Sequence, residues 1–321
     1  MHITLTDSIR PDHVVYHDTY SQPDAPDPIL NDDLVIELIQ RHTSIGATTF
    51  EVDETGGEAR AYVLRDVVLK TQRPQQLRPR TSLAKEAFIL EQLAHRGFGK
   101  VPRILGYGRE GDVEYEVLSR VPGIALRDAT LSAAARTAVL HDVGATLREL
   151  HALDPDVLTR SGLIPGDETS HDVALRLRVH FDNAVEALER GGAVVKFDEL
   201  RDEFLADLAS EQPPVTLHSN PGSEHCFVDP DTGQFSGLID FGDAYRSHPA
   251  LDVRSWRSLE DSRLLLEGYA IEGELPEDFV RVWRAGLLVS QLRLAAHSNA
   301  DETTLRGVIE SVRNELGFAG K

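Results

Sequence analysis

The sequence predicts an α+β protein of two lobes, a small β-rich N-terminal lobe and a larger, mainly helical C-terminal lobe. Two observations lead to this fold class. Short runs with β character prevail up to about residue 120, and long segments with helical periodicity prevail after residue 124. Turn residues in SRVPG mark the change. We therefore expect an irregular arm over residues 1–30, an N-terminal lobe over 31–118, a hinge over 119–123 and a C-terminal lobe over 124–321.

The elements of the N-terminal lobe follow from capping residues and apolar periodicity. NDDLVIELIQRH begins with capping residues and predicts a helix. TTFEVDE, ARAYVL and DVVLKT predict strands, and the TGG between the first two is typical of a hairpin. TSLAKEAFILEQLAH predicts a second helix that ends at Gly97, and YEVLSRV predicts another strand. One face of this second helix carries Leu83, Ala87, Leu90 and Ala94.

The C-terminal lobe is predicted to be helical around one island of loops and strands. SAAARTAVLHDVGATLRELHAL has a serine cap and an apolar stripe, and residues 171–190, 196–210 and 259–317 also have helical patterns. The island covers residues 215–252, where DPDTGQ predicts a tight turn between the strands CFV and FSGLI. The stripe of the long helix consists of Val139, Val143, Leu147 and Leu150.

Composition limits the class of protein. The net charge of −20 over 321 residues predicts an acidic surface, which repels nucleic acid and anionic membranes and favours cationic ligands. The N-terminus lacks the pattern of a signal peptide, and the apolar runs are too short to cross a bilayer. The single cysteine, Cys226, excludes an internal disulfide. We expect a cytoplasmic monomer or homodimer that binds neither nucleic acid nor membranes.

Phosphoryl transfer requires a cation on the nucleotide phosphates and a metal held by hard ligands. Lys70 ends the run DVVLK, and Glu86 on the following helix is a candidate partner for it; Glu91 lies on another face of that helix. Asp240 follows an apolar strand and precedes Phe241 and Gly242, a suitable position for a magnesium ligand. Taken singly, Lys70 and Glu86 also suit a solvated surface, and Asp240 also suits a turn.

A second group of residues lies in LHSNPGSEHC, which contains His218, Asn220 and His225. Two histidines with Cys226 and Asp240 raise the hypothesis of a zinc-dependent hydrolase. The spacing matches neither a zinc finger nor the helical HExxH pair, which speaks against zinc. Two further aspartates, Asp243 and Asp252, are expected to brace loops rather than to bind a metal.

The order of these motifs resembles the aminoglycoside phosphotransferase and choline kinase-like family, which has a protein-kinase-like fold. The resemblance runs from about Asn31 to about Gly317 and is most specific in LHSNPGSEHCFVDPDTGQFSGLIDFGDAYRSHPALDV. Family members carry a His-x-Asp-x4-Asn or His-x-Asp-x4-His loop there, followed by IDFGDA or IDWGDA. VVLK, KEAFILEQL, VPRILGYG and YEVLSRVPG match in the same order, whereas the HRD and APE signatures of protein kinases are missing.

The resemblance implies a kinase that moves the γ-phosphate of ATP or GTP, with Mg²⁺, to a hydroxyl group of a small and cationic molecule such as an aminoglycoside. By the same resemblance, Lys70 is the phosphate lysine and Glu86 its partner, while backbone groups of Ser119 and Val121 contact the adenine. His218 braces the catalytic loop. The implied metal ligands are Asp240 and, in the second ligand position, His225.

Asn220 departs from the family pattern, because family members have at this position the aspartate that orients the substrate hydroxyl. An amide is not a base at neutral pH, although its oxygen still accepts a hydrogen bond. Three explanations remain open: an introduced Asp→Asn change, a natural lineage that lost or relocated its base, or a nucleotide-binding pseudokinase without turnover. The surrounding residues are typical of a catalytic loop, which favours the first two.

Overall fold

The protein, represented by a computed structural model, is described for residues 20–315 except 47–48, 79–80, 168, 194, 207, 209, 255, 257, 271–272, 274 and 299. Most of the expected N-terminal arm, residues 1–19, lies outside the described residues. Residues 20–31 contain no helix or strand. They are held against the sheet by Asp27, whose carboxylate pairs with Arg60 and Arg73 at 2.9 and 2.8 Å.

The N-terminal lobe is built on a five-stranded antiparallel sheet with the order β1-β2-β3-β5-β4. Helix α1 packs on one face of this sheet through Val35, Leu38 and Ile39, and α2 contacts strands β4 and β5. The bounds are α1 Asp32–His42, β1 Glu51–Asp53, β2 Ala59–Val63, β3 Val67–Gln72, α2 Leu83–His95, β4 Ile104–Glu110 and β5 Val113–Ser119.

Alternation along β3 determines which of its side chains reach the cleft. Leu69 is fully buried among the residues that α1 covers. Successive side chains of a strand point to opposite faces of its sheet, so Lys70 points to the face that α2 approaches. The strand thus supplies a core residue and a cleft residue from neighbouring positions.

The predicted elements of this lobe are largely confirmed. The helix cap at Asn31 forms, with its side chain accepting from Leu34 N–H, and TGG lies between the antiparallel strands β1 and β2. Strand β4 was not predicted. The predicted stripe of α2 is wrong at its end: Ala94 is exposed and Leu93 is buried instead, because residues 94–97 at the helix end all face solvent.

The C-terminal lobe is mainly helical, as predicted. The predicted apolar stripe of α3 is buried along its whole length, and Ser132 caps the helix. Helix α4 was not predicted, and residues 316–317 of the last predicted helical segment lie outside the described residues. The helices are α3 Ala133–His151, α4 Pro155–Ser161, α5 Ser170–Arg190, α6 Phe197–Leu205, α7 Leu259–Tyr269, α8 Glu277–His297 and α9 Glu302–Glu315.

The island at residues 215–252 forms short strands that bring two loops together. Strand β10 pairs with β7, and β8 pairs with both β6 and β9. The loop 218–225, between β7 and β8, therefore lies beside the loop 239–244, between β9 and β10. The strands are β6 Ile124–Ala125, β7 Val215–Leu217, β8 Cys226–Val228, β9 Phe235–Leu238 and β10 Tyr245–Ser247.

The described part of the chain contains no helix with the length and apolar character of a membrane span.

Candidate active site

Lys70 and Glu86 form an ion pair in the N-terminal lobe, and Lys70 also contacts Asp240 of the C-terminal lobe. Lys70 Nζ lies 2.5 Å from Glu86 Oε2 and 3.2 Å from Asp240 Oδ1. Glu91, the other carboxylate of α2 considered from the sequence, is exposed. Three residues from a strand, a helix and a loop therefore meet at one ammonium group.

The loop 239–244 presents Asp240 in a strained backbone conformation. Asp240 has φ of 72° and Ser219, in the facing loop, has φ of 75°; they are the non-glycine residues with positive φ in the described ranges. Such conformations cost free energy and persist where the surrounding structure enforces them, commonly at functional sites. Burial alone would raise the pKa of the Asp240 carboxyl, but the charge of Lys70 holds it well below its usual range.

His218 braces the two loops against each other. Its Nε2–H donates to Ile239 O at 2.9 Å, and its Nδ1 accepts from Asn220 N–H at 3.2 Å. Burial lowers the pKa of His218 to about 4, so the ring is neutral and suits one donor and one acceptor role. Asp252 completes the support by accepting from Ser219 N–H at 2.8 Å as well as from the backbone of His218.

His225 and Asn220 are joined within the loop 218–225, and His225 faces Asp240. The distance from His225 Nδ1 to Asn220 O is 2.8 Å, and from His225 Nε2 to Asp240 Oδ2 it is 3.4 Å. Because a carbonyl oxygen only accepts, Nδ1 carries the proton, and the lone pair of Nε2 in the neutral ring faces the carboxylate. A proton or a cation between the two groups satisfies this arrangement.

This pair fits a Mg²⁺ ion that also contacts phosphate oxygens, since Mg²⁺ is usually held by one or two carboxylates together with substrate phosphates. The imidazole nitrogen is the departure, because Mg²⁺ prefers oxygen ligands. Within the described ranges, no cluster of three or more His, Cys, Asp or Glu side chains forms a metal site.

The structure does not support the zinc hypothesis, because His218 and Cys226 are not available as ligands. Both ring nitrogens of His218 are engaged by the protein, and the side chain is fully buried. The thiol of Cys226 lies 3.6 Å from Pro221 O, and burial raises its pKa well above the usual value, which disfavours the thiolate that binds zinc. Only His225 and Asp240 of the four candidate zinc ligands face each other.

The connector between the lobes contains Ser119 and Val121. Ser119 N–H donates to Arg103 O at 2.9 Å, and the Ser119 hydroxyl accepts from Arg103 N–H at 2.8 Å. In a continuous antiparallel ladder the Arg103 N–H would bond to the Ser119 carbonyl, whereas here it donates to the Ser119 hydroxyl. Val121 is buried, and its side chain lies beside Gly237 of β9.

A set of hydrogen bonds that was not predicted from the sequence joins residues 78–85, at and before the start of α2, to the loop 239–244. Arg78 donates to Asp243 Oδ2 at 2.5 Å, and Thr81 donates to Asp243 Oδ1. Buried Lys85 donates to Ala244 O at 2.6 Å. Asp243 thus braces this loop, as expected, and Asp252 braces the other. The partners lie too far apart in the chain for any local pattern to indicate them.

Sequence analysis also missed Glu116, a fully buried carboxylate on β5 that lies 3.6 Å from Lys70 Nζ. The signal was present, because a glutamate inside the apolar run YEVLS is unusual for a buried strand.

Comparison with solved structures identifies similar folds, while no curated protein matches the chain by sequence. The chain is similar to APH(2")-IIia in its complex with GDP and kanamycin, with 18% identity, a TM-score of 0.58 and coverage of 89% of this chain and 99% of that one. The macrolide 2'-phosphotransferase MphH from Brachybacterium faecium gives 19% identity, a TM-score of 0.55 and coverage of 86% and 96%. The streptomycin-ATP-APH(2")-IIa ternary complex gives 15% identity, a TM-score of 0.52 and coverage of 89% of this chain and 97% of that one.

These similarities confirm the two-lobed, protein-kinase-like α+β fold. Residues 43–288 of the chain match the model of the phosphotransferase enzyme family. That range contains most of each lobe and every residue of the candidate site. The chain belongs to the phosphotransferase enzyme family.

Proposed function

We propose that the protein is a small-molecule kinase that transfers the γ-phosphate of ATP or GTP to a hydroxyl group of a cationic acceptor such as an aminoglycoside. One observation carries the proposal: Lys70, paired with Glu86, lies 3.2 Å from Asp240, and Asp240 faces His225 of the loop that holds Asn220. A phosphate-binding cation, a metal-binding carboxylate and an acceptor loop are the components that phosphoryl transfer requires.

The nucleotide has its binding groups at the junction of the lobes. Lys70 contacts the phosphates, and Glu86 keeps the ammonium group directed at them. Backbone groups of Ser119 and Val121, in the connector between the lobes, contact the base. The complexes of similar fold with GDP and with ATP support a nucleotide as the co-substrate.

Asp240 and His225 would hold Mg²⁺, and the bound ion would neutralise the charge that develops on the phosphate oxygens. The protein prepares this place with two features. The depressed pKa of Asp240 keeps its carboxylate ionised at any physiological pH. The hydrogen bond from His225 to Asn220 O directs the other ring nitrogen to the same side.

Asn220 orients the acceptor hydroxyl. The hydroxyl oxygen forms a bond to the γ-phosphorus while the bond from phosphorus to the bridging oxygen breaks, and the nucleoside diphosphate leaves with the electron pair. The amide oxygen of Asn220 accepts a hydrogen bond from the hydroxyl but does not take its proton, which passes to solvent. General-base assistance is typically worth about 10²–10⁴-fold, so the reaction is slow but retained.

The acceptor class follows from charge and from the relatives. The net charge of −20 favours a cationic molecule over an anionic one. The proteins of similar fold include complexes with kanamycin and with streptomycin, and a macrolide 2'-phosphotransferase. We infer an antibiotic-like acceptor with at least one hydroxyl group.

Asn220 also favours a second candidate function, a nucleotide-binding pseudokinase without turnover. This alternative keeps Lys70, Glu86 and Asp240 in their roles and removes only the chemical step. It predicts thermal stabilisation by nucleotide, which grows with the ratio of ligand concentration to Kd, without phosphate transfer.

The decisive experiment compares this chain with its Asn220→Asp variant. Each is incubated with ATP or GTP, Mg²⁺ and a panel of aminoglycosides, macrolides, choline-like alcohols and sugars, and the acceptors are analysed by mass spectrometry for an added phosphoryl group. Asp240→Asn is the inactive control. Phosphorylation of an acceptor by this chain or by its Asn220→Asp variant supports the kinase. Binding of nucleotide without transfer by either form leaves the pseudokinase, and absence of both activities contradicts both functions.

A further inference from the structure

The side chain of Glu116 lies next to Lys70 on the neighbouring strand of the sheet. Strand β5 pairs with β3 so that Glu116 is opposite Lys70 in the register, and Glu116 Oε1 is 3.6 Å from Lys70 Nζ. The residue is 0% exposed. A buried carboxylate is costly unless it is paired or hydrogen-bonded, so its presence inside the sheet requires an explanation.

The hydrogen bonds of Lys70 do not provide that explanation. The ammonium group donates to Glu86 Oε2 and Asp240 Oδ1. Both oxygens of Glu116, and Oε1 of Glu86, are buried without a hydrogen-bond partner among the described residues. Three carboxyl groups therefore surround one ammonium, and the oxygens left over belong to Glu86 and Glu116.

A proton on Glu116 resolves this arrangement. Burial, and next the neighbouring charge of Glu86, raise the pKa of Glu116 well above its usual value. Both carboxyl groups lie against the same ammonium group, with Glu86 Oε2 at 2.5 Å and Glu116 Oε1 at 3.6 Å from Lys70 Nζ. The protonated Glu116 carboxyl then donates to an oxygen of Glu86. The charge of Glu86 stays available to Lys70.

We propose that Glu116 is a positioning residue, whose carboxyl group donates a hydrogen bond to Glu86 and through Glu86 fixes the Lys70 ammonium at the mouth of the site, beside Asp240. The inference rests on the proposed nucleotide-binding role of Lys70. Glu116 itself touches neither the nucleotide nor the acceptor.

Ionisation of Glu116 reverses this effect. The groups that face it are Lys70 on β3, Glu86 on α2, Asp240 in the loop after β9 and Tyr107, its register partner on β4. Once ionised, Glu116 repels Glu86 and draws Lys70 inward, away from the phosphates. Nucleotide affinity is therefore expected to fall as the pH rises through the raised pKa of this group.

Two variants separate the hydrogen bond from the space that the side chain fills. Glu116→Gln keeps the shape and an N–H donor for Glu86 but does not ionise. Glu116→Leu fills a similar volume without a donor. Glu114→Gln is the matched control, because Glu114 lies two residues earlier on the same strand and accepts instead from Tyr107 and Arg109.

Nucleotide affinity is measured by calorimetry with ATP and GTP from pH 6 to pH 10, beside the melting temperature of each variant. We expect Glu116→Leu to weaken nucleotide binding by about tenfold, since hydrogen bonds to charged groups are worth more than neutral ones. Glu116→Gln should bind like the unmodified protein at neutral pH and lose the alkaline decline. Glu114→Gln should change neither property.

The outcomes distinguish this inference from the proposed function. If the unmodified protein binds no nucleotide, the proposed function fails and the role of Glu116 fails with it. If it binds nucleotide and Glu116→Gln keeps the full alkaline decline, or Glu116→Leu binds normally, the role of Glu116 is overturned while the kinase proposal stands. If Glu116→Leu does not fold, the pH profile of Glu116→Gln still decides.

Discussion

Asp252 holds the backbone of His218: the Asp252 carboxylate accepts a hydrogen bond from the His218 N–H at 2.6 Å, across 34 positions of the chain. The same carboxylate accepts from Ser219 N–H at 2.8 Å and contacts His151 Nε2 at 3.0 Å. Ser219 has a strained positive φ, so this aspartate stabilises a loop conformation that the loop would not keep alone.

Asp252→Ala should therefore lower the free energy of unfolding and the turnover together. It leaves two backbone N–H groups buried without an acceptor, at about 1–3 kcal/mol for each. Urea unfolding of the variant should show a loss of about 2–6 kcal/mol. Asp252→Asn, which keeps one acceptor oxygen, should lose less. Equal stability of Asp252→Ala and the unmodified protein would contradict this supporting role.

Asn220→Asp should raise kcat by about two to four powers of ten, the usual contribution of a positioned base. His218 and Asp252 already hold the loop backbone, so the new carboxylate needs no rearrangement to act. Nucleotide affinity should change little, because residue 220 acts on the incoming hydroxyl. Steady-state kinetics on an acceptor from the panel measure both quantities. Unchanged turnover on such an acceptor would show that Asn220 is not a disabled base.

Lys70→Met should weaken nucleotide binding by at least about tenfold, the loss expected for one charge-assisted hydrogen bond. It also removes the cation that lowers the pKa of Glu116, so that this pKa rises further. A carboxyl whose pKa is raised by folding contributes stability that is lost as the pH rises through that pKa. The stability difference from the unmodified protein should therefore grow as the pH rises through the raised pKa that Glu116 has in the unmodified protein.

Calorimetry, and urea unfolding over the same range from pH 6 to pH 10, check the prediction for Lys70. Lys196→Met is a suitable control, because Lys196 pairs with Glu199 on the surface. Unchanged nucleotide affinity in Lys70→Met would remove Lys70 from the phosphate site.

Acidification should destabilise the protein between pH 6.5 and about pH 4. Burial lowers the pKa of both His218 and His248 to about 4, while the unfolded chain titrates near 6.5. In this window the unfolded state binds protons that the folded state does not, so stability falls as the pH falls. Each histidine should contribute about 2 kcal/mol of loss by pH 5.

Urea unfolding at pH 7 and pH 5 measures this loss. His248→Asn retains an acceptor for Ala250 N–H, which His248 Nδ1 accepts at 3.2 Å, but does not titrate. The loss on acidification should therefore be smaller in this variant. An identical loss in both proteins would show that His248 does not contribute.

Local structure was predictable because it depends on neighbours in the chain. The caps at Asn31 and Ser132, the buried stripe of α3 and the alternation that separates Leu69 from Lys70 all follow from residues a few positions apart. A local pattern fails to predict burial where the position of the residue in the folded protein exposes it. Ala94 continues the apolar spacing of α2, yet it lies at an exposed helix end.

The sequence by itself determined the family resemblance and the fold class, because motif order and local periodicity depend on residues close together in the chain. It also predicted the candidate site residues, and their roles stay a proposal. Only the tertiary structure decided that Lys70 meets Asp240 across 170 positions, that Asp252 supports His218, and that Glu116 lies 3.6 Å from Lys70. Such contacts arise when strands pair and lobes pack. Their hydrogen bonds and charges depend on distances that no local pattern encodes.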